Sequence, residues 1–190
     1  MKTVIKQVKT IDGKRQDILI ENDRILKIAD QIEEEARIIS VSDDVYVSSG
    51  WIDLHSHCYE GLDLYTSDPD QIGIETAVTT VVDAGSCGAY NIGDFYERSQ
   101  NKKTDIFAFI NVSKTGIIAQ DELSDLKRIQ KEAIEEAIEK YPGFIVGIKA
   151  RMSQSVIGEN GLKPLIMAKE IARELKLPVM VHIGSAPPRL

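Results

Sequence analysis

Trp51-Ile52-Asp53-Leu54-His55-Ser56-His57 is the stretch on which both the fold and the site turn. In an extended strand successive side chains point to opposite faces. Asp53, His55 and His57 are therefore expected on one face, with Ile52 and Leu54 on the other. Two imidazoles one pleat apart can reach the same metal ion, and borderline cations such as zinc favour neutral imidazole. The chain has three histidines, and His182 closes a second apolar run, Leu177-Pro178-Val179-Met180-Val181-His182. Every histidine thus falls at the end of an expected strand, a distribution that suits a metal site. Cys58 adjoins the pair, but strand parity turns it to the opposite face and removes it from the candidate ligands.

Outward from that stretch the pattern alternates strand and helix. Strands are expected at 51–55, 79–83, 105–111, 144–149 and 179–183, with helical patterns around 69–77, 92–100, 122–141 and 162–175. The third helix looks clearest, with Leu126, Ile129, Ala133, Ile134, Ala137 and Ile138 at helical spacing and Pro142-Gly143 as its stop. Such alternation implies an α/β fold with a parallel sheet and right-handed crossovers. A (β/α)8 TIM-type barrel takes about 250 residues. Roughly 140 follow Gly50, so only about the first five strands are expected here. Either this is the N-terminal part of a longer barrel or the fold is not a closed one. The first is the expectation, with no helix after the fifth strand, where the chain reads Ala186-Pro-Pro-Arg-Leu190. Residues 1–48 read as a small β-sandwich-like module, too short for a core of its own, with a hairpin turning at Asn22-Asp23 and strand-like alternation over 38–47. Residues 49–190 form the incomplete barrel domain.

Composition narrows the function. The 190 residues are 43% hydrophobic and 28% charged with a net charge of −7 and a pI near 5.1. That balance argues against nucleic-acid binding. No apolar run approaches the roughly 20 residues that span a bilayer, so no membrane association is expected. The lysines near the N-terminus are followed by no apolar core, so no signal peptide is read. Two cysteines make no disulfide framework, and a reduced cytoplasmic protein is the default. The partner expected is a small-molecule substrate, with a homo-oligomer left open.

Lys149 is the other unusual residue. It ends the apolar run Phe144-Ile-Val-Gly-Ile-Lys149, where Ile145, Gly147, Lys149 and Arg151 share a face that would look into the barrel mouth. A desolvated lysine loses part of its preference for the charged form. As a neutral amine it can add carbon dioxide, giving an anionic carbamate able to bridge two cations. The alternative is a lysine whose stem lies along the barrel and whose ammonium reaches water.

His55-x-His57 after a first strand, Lys149 at the end of the fourth and His182 at the end of the fifth together resemble the amidohydrolase superfamily of metal-dependent hydrolases. The lead-in Ser48-Ser-Gly-Trp-Ile-Asp-Leu-His-Ser-His57 is similar to that family's passage from a small β domain into the barrel. The resemblance covers the whole chain. It implies two divalent metal ions, zinc the expected one: His55 and His57 on the first, carboxylated Lys149 bridging, and His182 on the second. It also implies hydrolysis, with a water activated between the metals and a polarised carbonyl. Two family elements, a further histidine after the sixth strand and a late aspartate acting as general base, have no counterpart in these residues.

Arg151, inward and nearer the mouth, is the candidate catalytic cation for a developing oxyanion or a substrate carboxylate, unless it is simply solvated or ion-paired. Asp53 is expected to support a ligand imidazole, and Asp83, Asn111 and Ser113 to line the pocket. Dihydroorotase-like members carry an arginine two residues after the second histidine, where this chain has Tyr59. The chain therefore looks closer to the deacetylase branch, cleaving an amide or ester of a small acylated metabolite. Adenine deaminase and dihydroorotase-like cyclic amidase are the alternatives within the family. A metal-dependent phosphoesterase and a non-catalytic barrel assembly protein are those outside it.

Overall fold

The computed structural model describes residues 1–118 and 120–184. The chain divides into two compact units, Met1–Ser49 and Gly50–Leu190. In the first, β1 (Lys2–Thr10), β2 (Arg15–Glu21), β3 (Arg24–Ala29), β4 (Arg37–Ser40) and β5 (Tyr46–Val47) make one mixed sheet. Its order is β3-β2-β1-β4, with β5 also on β1. This corrects the expected sandwich-like module: among the described residues a single sheet carries the small core of Val4, Leu19 and Ile32. The hairpin falls where expected, Asn22 and Asp23 both taking positive φ (48° and 63°), as a tight two-residue turn between twisted strands requires. The alternation over 38–47 is interrupted, because β4 and β5 pair with different stretches of β1.

In the second unit β6 (Trp51–Ser56), β7 (Val78–Ala84), β8 (Asp105–Asn111), β9 (Ile145–Arg151) and β10 (Val179–His182) form a parallel sheet in sequence order. Parallel neighbours need crossovers of a dozen residues or more. These contain α1 (Pro69–Ile72), α2 (Ile92–Ser99), α3 (Lys131–Lys140), α4 (Gln154–Ile157) and α5 (Lys163–Leu175). The core lies between sheet and helices. Val81, Ile106, Ala108, Ile110 and Ile148 from the strands are buried with Phe95 of α2, Ile134 and Ala137 of α3, and Ala168, Ile171 and Ala172 of α5.

Two helical expectations are corrected. Residues 69–77 give only α1 and a 3-10 turn (Ile74–Thr76), ended by left-handed Ala77. The helix expected over 122–141 begins at Lys131. Before it, Leu126–Arg128 is a 3-10 turn capped by the Asp125 side chain, and Ile129 is extended and bridges Ser113. Leu126 and Ile129 have helical spacing because both pack inward, yet local side-chain capping and the Ser113 bridge take their backbone out of the helix. No helix among the described residues is long and apolar enough to cross a membrane. The expected absence of a helix after the fifth strand concerns residues from 185 onward, which lie outside the described ones.

Candidate functional site

β6 and β10 stand at opposite ends of the sheet order. Four interstrand steps of about 4.8 Å would hold them roughly 19 Å apart in a flat sheet. The rings of His55 and His182 nevertheless lie 5.7 Å apart, centroid to centroid. The sheet is therefore strongly curved, and its carboxyl-end side chains converge. The histidines belong not to neighbouring strands but to edges that curvature brings face to face.

The convergence makes a cavity of about 480 Å³ lined by His55, His57, Lys149, Arg151 and His182, with Tyr65, Gln120, Ser153 and Ser155 on its walls. The rings of His55 and His57 are 5.9 Å apart. Lys149 is the pivot: although a lysine, it is only 2% exposed, and its Nζ lies 3.3 Å from His55 Nε2. No carboxylate pairs with it among the described residues. Burial pulls its amine down to about 8. Burial, followed by the Lys149 charge, lowers all three histidines, His57 to about 4. The imidazoles are thus neutral at physiological pH, the form in which imidazole binds metal. Among the described residues no three His, Cys, Asp or Glu side chains are gathered tightly enough to hold an ion by themselves. The groups at the cavity that could hold a metal ion are the three neutral imidazoles, with the Lys149 amine beside them.

His57 lies one residue beyond β6, so strand parity does not set its direction. A loop contact does: His57 Nδ1 is 2.9 Å from Ser86 Oγ. The Ser86 hydroxyl donates to Asp83 Oδ2 at 2.7 Å, and the same oxygen accepts the Cys58 N–H at 2.9 Å. Asp83, near the end of β7, is fully buried. Burial pushes its carboxyl up, opposed by the donors from Cys58 and Ser86. Several supporting roles are corrected here. Asp53 accepts the main-chain N–H of His55 and holds no imidazole in that contact. Asp83, Asn111 and Ser113 are buried and are not among the cavity-lining side chains; Asn111 ties Gly85 O to the Ser113 N–H. Cys58 lies in the core, its thiol pushed well above the usual range by burial. Tyr59 turns away into α2, donating to Asp94 Oδ2 at 2.8 Å.

Arg151 reaches the cavity wall already engaged. Its Nε and Nη2 donate to the two oxygens of Glu122, at 2.8 and 2.5 Å, and Nη1 lies 3.5 Å from Gln120 Oε1. The two-point fork pins the guanidinium plane. Arg151 is thus ion-paired with Glu122 and at the same time lines the cavity. Glu122 is fully buried; burial raises its carboxyl while Arg151 pulls it down. Sequence reasoning missed it, because it sat inside an expected helix. The signal that could have found it is the unmet need of an inward arginine for an anion, beside the acidic run Gln120-Asp-Glu-Leu-Ser-Asp125. Tyr65 and Ser153 carried no comparable signal: each stands in a loop, Ser153 accepting the Gly184 N–H at 2.9 Å.

A curved parallel sheet with polar side chains converging at its carboxyl edge is the architecture of part of a (β/α) barrel, whose active sites lie at that face. Comparison with known proteins agrees. A deacetylase of Enterococcus faecalis is 49% identical over 98% of this chain and 51% of its own length. Among solved structures, an adenine deaminase superposes with a TM-score of 0.93 at 48% identity, over 98% of this chain and 51% of that one. A dihydroorotase superposes with 0.90 at 34%, over 98% and 52%. No protein-family model matches the chain. The chain belongs to the amidohydrolase superfamily. It spans about half the length of the relatives it matches.

Proposed function

We propose that the protein is a metal-dependent hydrolase that cleaves an amide or ester bond of a small acylated metabolite, at a two-metal centre bridged by carboxylated Lys149. The observation that carries this is Lys149 itself: a nearly fully buried lysine, its amine against a neutral imidazole and beside two further imidazoles. Lowering an ammonium from 10.5 to about 8 corresponds to about 3 kcal/mol of unfavourable burial at neutral pH, which the charge of Asp83 offsets only in part. Carbamate formation removes the problem. The neutral amine bonds to the carbon of CO2, the new carbamic acid loses a proton, and an anion with two oxygens replaces a cation.

His55, His57 and His182 would hold the metal ions with the Lys149 carbamate. When bound, such a pair supplies a water acidified towards neutral pH and polarises the scissile carbonyl. The chain's own residues do the rest. The cavity is of a size that encloses a small metabolite. Arg151, with its plane fixed by Glu122, presents Nη1 to the wall near Gln120 as a donor for a substrate oxygen. Tyr65 stands beside His57, its ring 6.3 Å away. Cys58 and Cys87 are free and buried, which suits a reducing, cytoplasmic setting.

The names of the relatives support a deacetylase first and leave adenine deamination as the second reading, both being hydrolyses at a carbonyl-like carbon. The test is a panel of N-acetyl amides, O-acetyl esters, adenine, dihydroorotate and phosphomonoesters offered to the full-length protein with and without chelator. Chelator-sensitive release of acetate is expected. Turnover confined to adenine or to phosphoesters would overturn the deacetylase assignment.

A further inference from the structure

We infer that Ser86 is a positioning residue which, held by Asp83, locks His57 in the Nδ1–H tautomer and so leaves Nε2 bare towards the cavity. The consequence for metal binding rests on the proposal above that His57 is a ligand.

Protons can be counted along one chain of contacts. Asp83 and Ser86 are both fully buried. Asp83 Oδ1 accepts the Ser86 N–H at 2.7 Å; Oδ2 accepts the Cys58 N–H at 2.9 Å and the Ser86 hydroxyl at 2.7 Å. Burial raises the Asp83 carboxyl, but three donors converge on its two oxygens, and the ionised form accepts all three. A carboxylate only accepts, so the single hydroxyl proton of Ser86 is committed to Asp83. Ser86 Oγ then has only lone pairs to offer His57 Nδ1, 2.9 Å away. A neutral imidazole in that contact must carry its proton on Nδ1, and its lone pair falls on Nε2.

Asp83 acts twice on the same ligand. Through Cys58 it fixes the main chain one residue beyond His57, and through Ser86 it fixes the ring. This supplies what Asp53, bound to the main chain of His55, does not. It also explains why a serine rather than a carboxylate touches the ring. A carboxylate there would place a second negative charge in the cavity wall, whereas the hydroxyl passes on only the orientation set by a charge buried one step deeper. Ligating imidazoles are commonly held this way, and loss of such a partner typically costs 10–100-fold in metal affinity.

The test uses full-length metal-free protein with 15N-labelled histidine at neutral pH, His57→Gln identifying the His57 signals. Two-bond proton–nitrogen correlations report the tautomer. The wild type is expected to show Nδ1–H and a pyridine-like Nε2. Ser86→Ala should lose that preference and bind zinc, measured by chelator competition, about 10–100-fold more weakly, while Ser86→Thr keeps both properties. Nε2–H in the wild type, or an unchanged tautomer and affinity in Ser86→Ala, overturns the inference. Should Ser86→Ala not fold, the wild-type and Ser86→Thr spectra still decide. Should the wild type show the locked tautomer but bind no zinc, the ligand role of His57 fails and the lock stands.

Discussion

Gly85 shows how closely the site is set at the scale of one residue. Its φ is +80°, and a Cβ there would lie 2.5 Å from Lys149 Cγ and 2.6 Å from Lys149 Cβ. Gly85→Ala therefore meets both left-handed strain and the stem of the pivotal lysine. It should cost roughly 1–3 kcal/mol, read as a lower urea midpoint, together with loss of bound metal. The histidines set a pH dependence. Their folded pKa values lie below 6.5, His57 at about 4, with burial the first cause. Below pH 6.5 the unfolded chain takes up protons that the folded one refuses. Metal-free full-length protein should thus lose stability as pH falls from 6.5 towards 4, and hold it above 6.5 as far as these groups are concerned. Thermal midpoints across that range check this; a flat profile contradicts it. His55, His57, Lys149 and His182 were legible in the sequence because each is chemically odd for the end of an apolar run. Ser86 was not, since an ordinary serine becomes informative only once its loop is seen to meet His57.

At the scale of elements, the pair of Arg151 on β9 and Glu122 in the loop before α3 ties strand to crossover. The two partners are unequally buried, their side chains 16% and 0% exposed. Removing Arg151 strands a charge with no access to water, whereas removing the Glu122 charge leaves a guanidinium that water can reach. Arg151→Ala should therefore cost about 3–5 kcal/mol and Glu122→Gln nearer 2 kcal/mol, compared by denaturant unfolding. Equal costs would mean that the pair is as open as a surface bridge. The parallel strands were legible because each is a short apolar run between turn signals. The α3 region misled because inward-packing residues keep helical spacing even where the backbone is not helical. Periodicity reports which side chains face the core. Asp125 capping its own turn and Ile129 bridging Ser113 are contacts that periodicity does not register.

Over the whole molecule, curvature is what the sequence implied only through the expected barrel, and curvature makes the site. Among the described residues the parallel sheet is paired on one side only at β6 and β10. Both carry apolar side chains into solvent, with Trp51, Ile52 and Leu54 about 60% exposed and Val181 at 37%. Unpaired apolar edges template association. Residues 1–190 expressed alone should self-associate, seen by light scattering; a soluble monomer with a sharp thermal transition would contradict that. The bridging role of Lys149 is read from the metal content per subunit of full-length protein, by elemental analysis with native intact mass, for the wild type and Lys149→Ala. The wild type should hold two divalent ions and the added mass of one CO2. Lys149→Ala should lose two-metal loading, with partial recovery in added small carboxylic acids. Full two-metal occupancy in Lys149→Ala would contradict the bridging lysine.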